Sequence, residues 1–478
     1  MDQRLETSNR TIYVDLDGTL LRTDLLWESL FQSLRRNPLI VFALFGWVLR
    51  GIAYTKARLA EAAGIDVTVL PYRAEVVEQL NAQKALGRQL VLATGSNEKL
   101  AHAVAEHLAL FDRVLASDEE TNLTSRRKLE RIESEAGDLG FEYYGNSHQD
   151  VCLFEAASEA TVVAPDRAAD RWQKQSGANR IDASESQIKA AVQAMRPHQW
   201  LKNTLIFVPA VMAHEIFVGS VLLSAILAFV AFSLSASAIY ILNDLMDLEA
   251  DRKHKTKWKR PFASGRLSVP NGLALAFASI AVAFAISTLL PIEFAGILLL
   301  YLFITTAYSV SVKRMLLLDV FVLAGLYTIR VLAGGVAASI EYSFWLLAFS
   351  VFFFLSLALV KRFTELQQVG ETASRAVTGR GYRHVDLEAI SQAGMTSGFA
   401  AVLVLALYIQ SPAIERAYAV PQMIWLLCPL ILYIIMRIWI LARRDEMHED
   451  PIVFILKDWR SQFMIGCGAS LFLIAAIW

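Results

Sequence analysis

The feature that most constrains the fold of this chain is a series of long apolar segments in its C-terminal part. Hydrophobic residues make up 55% of the 478 residues, a share too high for an ordinary soluble protein. A helix of about 20 apolar residues crosses the hydrocarbon core of a bilayer. We therefore predict an all-α membrane domain of nine transmembrane helices over residues 194–478. The predicted spans are 203–219, 221–242, 271–290, 292–310, 316–338, 343–361, 395–411, 421–441 and 461–478.

The basic residues predict how this domain is oriented. The connections after the even-numbered spans hold nearly all lysines and arginines between the spans, whereas the other connections hold essentially Arg416 alone. Lysine and arginine accumulate on the cytoplasmic side of membranes. The N-terminal residues are polar and lack the apolar region of a signal peptide. We expect a multi-pass protein of the bacterial inner membrane with a cytoplasmic N-terminal domain.

An acidic segment follows the second predicted span. If its helix continues past residue 242, then Asn243, Asp247 and Asp251 recur every four residues, and Asp244 projects from the same face. Three carboxylates crowded at membrane depth repel each other and are costly to desolvate. A divalent cation relieves both problems, and oxygen ligands favour Mg²⁺ shared with substrate phosphates. The residues that follow include the bases Arg252, Lys253, Lys255, Lys257, Lys259, Arg260 and Arg266.

Two interpretations of this segment are open. Acids for a metal beside bases for phosphate are what the binding of a metal–diphosphate requires. This interpretation places Mg²⁺ on Asp244, Asp247 and Asp251 and gives catalytic roles to these residues and to Asn243. The alternative is a charged loop outside a transmembrane helix. The positive-inside rule explains lysines and arginines in such a loop, but it does not explain the acids.

The first 170 residues predict a separate, doubly wound α/β domain. Short β-type runs at 11–14, 90–93 and 142–144 alternate with helical patterns such as 75–86 and 98–108. The alternation predicts a parallel sheet, in which ligand sites lie at the carboxyl ends of the strands. A polar cluster directly follows each run, so we expect the three clusters to converge.

These polar clusters resemble the motifs of the haloacid dehalogenase superfamily of phosphotransferases. The signature is Asp15-Leu-Asp-Gly-Thr19, and the threonine of the second motif, which follows a strand, is Thr94. The lysine of the family is matched by Lys128, and the acidic fourth motif by residues 145–150. The resemblance implies an α/β phosphatase domain over residues 8–170.

The resemblance also implies roles for individual residues. Asp15 would be the nucleophile that forms an aspartyl-phosphate, and Asp17 the general acid and base. Thr94 and Lys128 would hold phosphoryl oxygens. Mg²⁺ would be bound by Asp15, the Asp17 carbonyl and Asp150. Asn146 stands where the first acid of the fourth motif is often Asp, which predicts weaker metal binding.

Two further stretches complete the N-terminal part. Residues 25–72 form an insert between the first and second motifs, which predicts a helical cap. Its apolar run 37–49 is bracketed by arginines and is too short to span a membrane. This run is either the core helix of the cap or an interfacial helix that dips into lipid. Residues 171–193 are predicted to form a linker.

The C-terminal domain resembles the UbiA-type intramembrane prenyltransferase superfamily. The family's N-D-x-x-D-x-x-x-D motif is found at residues 243–251. The usual second acidic motif after the sixth span is missing, and residues 361–365 and an arginine-rich stretch with Arg375 and Arg380 stand there instead. Prenyltransferases use the second motif for metal, so its loss argues against prenylation of an aromatic acceptor.

Four runs resemble instead the branch of that superfamily that makes polyprenyl-phosphoryl-5-phosphoribose. They lie at 196–203, 259–265, 330–335 and 361–366. The resemblance implies phosphoribosyl diphosphate as the donor and a polyprenyl phosphate as the acceptor. Three anionic groups need more cations and fewer carboxylates. The candidate phosphate-binding bases of this domain are Arg196, Lys202, Lys259, Arg260, Lys313, Arg330, Lys361 and Arg362.

The sequence does not indicate which of these bases binds the acceptor and which binds the donor. Lys202, Lys313, Lys361 or Arg362 would hold the acceptor or the 5-phosphate of the donor. Arg330 lies inside a predicted span, so it either pairs with an acid of the central cluster or binds a phosphate.

The sequence therefore predicts an enzyme that carries two activities. We expect Mg²⁺-dependent transfer of 5-phosphoribose to a polyprenyl phosphate, followed by removal of the 5-phosphate by the N-terminal domain. One alternative is a prenyltransferase that uses a prenyl diphosphate on an aromatic or other acceptor. Another is a transporter or scaffold in which the soluble domain senses a phosphorylated ligand. We expect no nucleic-acid partner; an oligomer is compatible with the sequence but not predicted.

Overall fold

The chain forms two compact units in the computed structural model. The first comprises residues 1–195 together with 240–276, and the second comprises 196–239 together with 277–478. The acidic segment therefore packs with the N-terminal residues, which divides the predicted transferase domain, 194–478, between the units. Arg375, Arg380 and Arg416 lie outside the described residues. The structure describes residues 10–182, 186–341, 343–369, 381–410, 420–447 and 450–477.

A six-stranded sheet forms the centre of the first unit. Every pair of neighbouring strands is parallel, which confirms the predicted parallel α/β domain. The strands are β1 Thr11–Val14, β2 Leu90–Asn97, β3 Arg113–Ser117, β4 Phe141–Gly145, β5 Glu159–Val163 and β6 Asn179–Ile181. Their order across the sheet is β3-β2-β1-β4-β5-β6.

Helices cover both faces of this sheet. Alternate residues of β1 enter different cores: Ile12 and Val14 pack on one side, and Tyr13 packs on the other. Because β1 lies between β2 and β4, the residues that follow these three strands meet at one edge. The helices are α1 Leu25–Arg36, α2 Ile40–Arg50, α3 Ile52–Ala63, α4 Ala74–Ala85, α5 Glu98–Leu108, α6 Arg126–Ala136, α7 Val151–Ala156, α8 Arg167–Ser176 and α9 Gln187–Met195.

The sheet continues into the stretch that was predicted as a linker. Strand β6 pairs in parallel with β5, and α8 precedes it. Asp166 caps α8 by accepting hydrogen bonds from the N–H groups of Ala168 and Ala169. Trp172 stacks on Phe154, with ring centroids 5.0 Å apart. A capped helix with one aromatic anchor and a three-residue edge strand bury few apolar residues, so the composition of 171–193 reads as polar.

The predicted insert forms three helices, of which α2 is the apolar one. None of the eleven residues of α2, all of them described, is buried. The side chains that face the core of the insert come from α1 and α3, for example Phe31 and Leu59. The interpretation of residues 37–49 as the core helix of a cap is therefore wrong.

The remainder of the chain is helical. Seven of the helices described are long and apolar enough to cross a membrane. The longer helices of this part of the chain are α11 Gly219–Met246, α13 Val269–Ser287, α14 Ile292–Val310, α15 Leu318–Ala337, α16 Phe344–Val369, α17 Leu387–Ile409, α18 Leu427–Arg443 and α20 Trp459–Ile477. The short helices are α10 Val208–Met212, α12 Leu248–Lys253 and α19 Pro451–Lys457.

The predicted count of nine transmembrane helices is not confirmed by these seven. The first predicted span, 203–219, is not one continuous α-helix: a 3₁₀-helix, Pro197–Phe207, is followed by α10. The α-helix then ends near His214, whose backbone has φ +61°. A left-handed residue cannot continue a right-handed helix. The last predicted span forms α20, which is not among the seven.

The core of the second unit lies among α15, α16, α17 and α18. Tyr327, Phe354, Leu357 and Trp439 belong to one cluster of buried apolar side chains. The indole N–H of Trp439 donates to the hydroxyl of Ser356, so the ring satisfies its only polar atom inside that cluster. These helices hold the polar side chains of the second unit in fixed positions.

Candidate active sites

The first site forms where β1 and β4 end. The backbone N–H of Asp15 donates to the carbonyl of Tyr144, at 2.9 Å, so the sheet fixes the start of the motif. The chain then turns at Gly18, which has φ +78°. A Cβ at this position would lie 2.2 Å from Nδ2 of Asn146. Only glycine fits there, because it tolerates both the positive φ and the close approach.

Lys128 joins the two carboxylates of this site. Its Nζ lies 2.7 Å from Asp15 Oδ1 and 3.6 Å from Asp150 Oδ1, and it donates to the hydroxyl of Tyr143 at 3.0 Å. Burial opposes the charge of Lys128, but Asp15 and Asp150 outweigh it and raise the pKa of this ammonium. Lys128 is thus a charged group at neutral pH, suited to hold an anionic phosphoryl group.

Burial raises the pKa of Asp15 to about 6, against the opposing charge of Lys128. Burial also disfavours the charged form of Asp150, yet Lys128 and the hydrogen bond from Tyr143 lower its pKa overall. At neutral pH both carboxylates are therefore ionised. An ionised Asp15 is the form that can attack phosphorus.

Asp17 has a different environment. Its Oδ1 accepts the N–H of Leu25 at 2.8 Å, and its Oδ2 accepts the hydroxyl of Ser96. Burial, followed by the charges of Asp24 and Asp15, raises the pKa of Asp17 to about 8. Two neighbouring carboxyls with separated pKa values can serve as nucleophile and acid at one pH.

The second motif reaches the cavity with Gly95 and Ser96, whereas the predicted phosphate ligand Thr94 lies beneath them. Thr94 is fully buried, and its Oγ1 accepts the N–H of Ser96 at 3.0 Å. The cavity above the site is lined by Gly95 and Ser96 of this motif. The structure therefore brings Thr94 to the site as a support for Ser96, which the sequence analysis did not single out.

A cavity of about 480 Å³ opens above Asp15 and Asp17. Its wall includes Lys56 of α3, whose Nζ donates to the Gly95 carbonyl at 2.5 Å and to Asn122 Oδ1 at 3.0 Å. Residues 268–270, at the start of α13, form another part of the wall. Sequence reasoning missed Lys56, because one lysine in an amphipathic helix carries no signal of a site.

The residues of this site fit Mg²⁺. Asp15 and Asp150 both approach the ammonium of Lys128, so a cation already gathers the two carboxylates. Asn146 adds an amide oxygen, which accepts from Thr19 at 3.3 Å. Carboxylate, amide and main-chain oxygens form the donor set that Mg²⁺ prefers.

The second site centres on the acidic segment in the first unit. Helix α11 continues to Met246, and the N–H groups of Asp247 and Asp251 donate to the carbonyls of Asn243 and Asp247. The expected four-residue spacing is thus kept through the junction with α12. Asp244 and Asp251 are buried, and Arg260 Nη1 lies 3.1 and 2.6 Å from their carboxylates.

Asp247 does not join the other two acids. Its carboxylate lies 3.5 Å from the guanidinium of Arg35 on α1, and it is about one-third exposed. Among the described residues no group of three acidic, His or Cys side chains could hold a metal ion. The expectation that all three carboxylates share one cation is therefore not met in this arrangement. Asp244 and Asp251 both approach the cationic Arg260, so these two carboxylates are placed to share one cation, whereas Asp247 is not.

Arg252 connects this segment to the phosphatase cap. Its two terminal nitrogens donate to both carboxylate oxygens of Glu28 on α1, at 3.0 and 2.6 Å. Its Nε donates to the carbonyl of Ala263, at 2.9 Å. The side chains of Arg252 and Glu28 are about 5% and 6% exposed. Sequence predicted a phosphate-binding stretch here, but it gave no sign of this pairing across more than 200 residues.

In the second unit two predicted lysines meet at one acid. Asp450 Oδ2 lies 2.8 Å from Lys202 and 3.3 Å from Lys361, and Tyr327 donates its hydroxyl to the same carboxylate. Lys202 and Asp450 are nearly buried. Asp450 was not among the predicted site residues, because a single Asp before a proline resembles a helix cap, and it does cap α19.

Arg330 is buried and donates to three neutral oxygens: Asn203 Oδ1 at 2.7 Å, the hydroxyl of Tyr301 at 3.2 Å and the carbonyl of Leu326. Pairing with an acid of the central cluster is therefore not seen in the described part of the chain. A buried guanidinium with neutral partners retains its full charge, which favours the phosphate-binding alternative.

Arg362 departs from its predicted role. It is almost fully buried and forms ion pairs with Asp319, at 2.5 Å, and with Glu365. Tyr382 donates to the same Asp319. Two carboxylates compensate the guanidinium, so Arg362 holds helices together instead of facing a ligand.

The other predicted bases lie nearer the surface. Lys313 is half-buried, and Lys259 is exposed with its ammonium 5.6 Å from the ring centroid of Trp258. Arg196 precedes the 3₁₀-helix in a left-handed conformation. The structure thus places Lys202, Lys361 and Arg330 in fixed environments, and leaves Lys259 and Lys313 at the periphery.

Comparison with known proteins identifies both of the families that the sequence resembles. The model of the UbiA prenyltransferase family matches residues 204–457, and that of the haloacid dehalogenase-like hydrolases matches residues 12–155. An uncharacterised protein of Sinorhizobium fredii is 36% identical over 466 residues, 96% of this chain and 90% of the relative.

Two further relatives match part of the chain. The nodulation protein NoeC of Azorhizobium caulinodans is 36% identical over 56% of this chain and 86% of its own length. The decaprenyl-phosphate phosphoribosyltransferase of Corynebacterium glutamicum is 37% identical over 37% of this chain and 54% of its own length. The two family matches and the phosphoribosyltransferase relative indicate an enzyme, and not the transporter or scaffold of the alternative interpretation. The chain is a multi-pass membrane enzyme of the UbiA prenyltransferase family, with a haloacid dehalogenase-like domain at its N-terminus.

Proposed function

We propose that the chain transfers 5-phosphoribose from phosphoribosyl diphosphate to a polyprenyl phosphate, and that its N-terminal domain then removes the 5-phosphate. The observation that carries most weight is the 37% identity to the decaprenyl-phosphate phosphoribosyltransferases of Corynebacterium glutamicum and Mycolicibacterium smegmatis. These relatives cover only part of the chain, and the phosphatase step rests on the N-terminal match.

The acidic segment would bind the diphosphate of the donor. Asp244 and Asp251, the two carboxylates that share Arg260 in this structure, would hold Mg²⁺, and members of both families are typically Mg²⁺-dependent. When bound, the metal would add positive charge to the leaving diphosphate. Arg260 neutralises the two buried carboxylates in this structure and can turn to the diphosphate once a metal takes over that task.

In the transfer step, an anionic oxygen of the acceptor phosphate forms a bond to C1 of the ribose. The bond between C1 and the diphosphate oxygen breaks, and its electron pair leaves with the diphosphate. The acceptor is already ionised, so the reaction needs no general base. Lys202, Lys361 and Arg330 would hold the anionic groups of the acceptor and the 5-phosphate, because they offer positive charge in the second unit, buried in the case of Lys202 and Arg330.

In the second step, the carboxylate of Asp15 forms a bond to the phosphorus of the 5-phosphate. The bond between phosphorus and the ribose oxygen breaks, and the leaving alkoxide takes the proton of Asp17. Water then attacks the aspartyl-phosphate and passes a proton back to Asp17, which regenerates Asp15 and releases phosphate. Lys128 holds the phosphoryl oxygens throughout.

One experiment tests both steps. The full chain in lipid nanodiscs is incubated with Mg²⁺, polyprenyl phosphate and phosphoribosyl diphosphate labelled in the ribose. We expect label in the lipid phase, none with Asp251→Asn, and a trapped 5-phosphorylated lipid with Asp15→Asn. Absence of lipid label from the unchanged chain would contradict the transfer. Loss of labelling with Asp15→Asn would contradict a separate second step.

The match to the prenyltransferase model favours one alternative activity, prenyl transfer from a prenyl diphosphate. This activity releases diphosphate from geranylgeranyl or polyprenyl diphosphate in the presence of an aromatic acceptor. We expect no such release, because the second acidic motif is missing and Asp450, the acid near Lys361, is occupied by two lysines.

We also propose nine membrane crossings in the bacterial inner membrane, with the N-terminal domain in the cytoplasm. Helix α12, which follows the spanning helix α11, contacts α1 of the N-terminal domain. Both therefore lie on one side, so an even number of crossings separates them, and residues 197–218 must cross once besides α11. The 3₁₀-helix and α10 together rise about 30 Å, the thickness of the hydrocarbon core. With α20, the seven helices then become nine.

A further inference from the structure

Helix α2 presents its apolar side chains to the exterior of the first unit. Phe42, Phe45 and Leu49 are 76%, 73% and 74% exposed. Spacings of three and four residues place these three on one face of the helix. Leu39, which directly precedes α2, and Ile52, the first residue of α3, are also exposed. A contiguous apolar surface of this kind is rare on a soluble domain and marks contact with another phase or molecule.

The charges around α2 are of one sign. Residues 29–60 contain no acid, whereas Arg35, Arg36 and Arg50 flank the helix. Helices that lie in the headgroup region of anionic membranes combine an apolar face with such basic flanks. With eleven residues, α2 rises about 16 Å and is too short to cross the hydrocarbon core.

The contacts of α1 show where α2 lies relative to the end of a spanning helix. Along α1, Glu28 contacts Arg252, Gln32 contacts Glu249 and Arg35 contacts Asp247. As the residue number rises along α1, the number of the partner residue falls from 252 to 247. Helix α1 therefore runs antiparallel to α12, and its C-terminal end is near the end of α11. Helix α2 follows from this end of α1.

The length of α11 indicates how far into the membrane the C-terminal end of α1 lies. Its 28 residues rise about 42 Å, which exceeds the roughly 30 Å of hydrocarbon and reaches into the headgroup region. The apolar run of α11 ends at Leu242 and Asp247 follows its last residue, so the pair of Asp247 and Arg35 lies beyond the apolar part of this helix. The apolar residues of α2 begin four residues after Arg35.

From this juxtaposition we propose that α2 is an interfacial membrane anchor. Its apolar face inserts among the lipids of the same leaflet that receives the end of α11, and Arg36 and Arg50 contact anionic headgroups. The anchor follows directly on α1 and precedes α3, and Leu26 of α1 and Lys56 of α3 line the phosphatase cavity. The cavity is thereby held at the lipid surface, whatever substrate the enzyme uses.

A fluorescent probe of depth tests this anchor. Cys152, Cys428 and Cys467 are replaced by serine in the full chain, and Phe45→Cys is labelled with an NBD fluorophore in nanodiscs of phosphatidylcholine and phosphatidylglycerol. The matched control is Leu86→Cys, since Leu86 is equally exposed (72%) but precedes β2 at the opposite edge of the sheet from Asp15. We expect brominated lipids to reduce the NBD emission at position 45 and not at position 86.

Two outcomes would overturn the proposal. Emission at position 45 that is as insensitive to brominated lipid as that at position 86 would place α2 in water. Blue-shifted emission without bromine quenching, together with disulfide cross-linking of Phe45→Cys between chains, would show a second copy on this face. As an independent measurement, the change of Phe42, Phe45 and Leu49 to glutamine should lower turnover of lipid-linked phosphate, and leave turnover of p-nitrophenyl phosphate unchanged.

Discussion

At the scale of single residues, the two aspartates of the phosphatase site differ by environment and not by type. Asp15 lies against the ammonium of Lys128, whereas Asp17 has Asp15 and Asp24 as charged neighbours and a higher pKa, about 8. Asp17 therefore keeps its proton at neutral pH and loses it as the pH rises through about 8. The protonated form is the one that can assist a sugar alcohol to leave.

We therefore expect the rate of sugar-phosphate hydrolysis to fall above about pH 8. The nitrophenolate of p-nitrophenyl phosphate leaves without a proton, so its hydrolysis should not show this fall. The measurement is kcat against pH for both substrates, with Asp17→Asn as the control. An identical fall for both substrates would assign the pH dependence to another group.

Asp450 brings together two of the lysines that the sequence offered as alternative phosphate ligands, Lys202 and Lys361. In Asp450→Asn, Lys202 and Lys361 lose the charge that fixes them, and we expect KM for an anionic substrate to rise about tenfold. Asp458→Asn is the matched control, because it breaks a comparable ion pair with Arg437 away from these lysines. Equal changes of KM in both variants would show that Asp450 stabilises the structure and does not position the two lysines for substrate.

At the scale of elements, the contact between α1 and α12 is the clearest case of long-range pairing. Glu28 and Arg252 are nearly buried, and removal of one partner of a buried ion pair costs about 3–5 kcal/mol. We expect Arg252→Met to lower the thermal unfolding temperature, measured by intrinsic fluorescence. Lys253→Met removes exposed pairs with Glu249 and Asp66, which are worth at most about 1 kcal/mol, and should change it little.

The double change Glu28→Met and Arg252→Met completes this test. It removes both charges, so neither is left unpaired in an apolar environment, and it should be more stable than Arg252→Met alone. A double variant that is less stable than either single variant would show that the two side chains act independently.

At the scale of the whole molecule, the topology makes a prediction of its own. In a chain without cysteine, Glu215→Cys should react with an impermeant maleimide from the side of the membrane opposite to Leu86→Cys. His254→Cys should react from the same side as Leu86→Cys. The comparison uses right-side-out and inverted vesicles. Labelling of all three positions from one side would mean that residues 197–218 do not cross.

Short-range signals made much of this architecture predictable. The strand before Asp15 and the strand that contains Thr94 follow from apolar runs of four residues, and the parallel sheet brings these two motifs together whatever lies between. The spacing of Asn243 and Asp251 likewise follows from helical geometry. These features depend on neighbours a few residues apart, and the sequence displays them directly.

Features that depend on distant partners were not predictable. Lys56 becomes part of the phosphatase cavity only through contacts with Gly95 and Asn122. The sequence around Arg362 indicates a phosphate ligand, but in the structure Arg362 forms an ion pair with Asp319. The broken helix at 197–212 has the composition of a regular span, and one left-handed residue, His214, ends its α-helical part. In each case tertiary contacts override what the local pattern indicates.

Residues 268–270 form part of the wall of the phosphatase cavity, and this has a consequence for dividing the gene into two. A gene split after residue 195 would yield a hydrolase lacking one side of its own binding chamber. Two separate polypeptides could restore that chamber only by docking again at the same loop. The hydrolase cavity therefore depends on residues that lie beyond the spanning helix α11 in the chain.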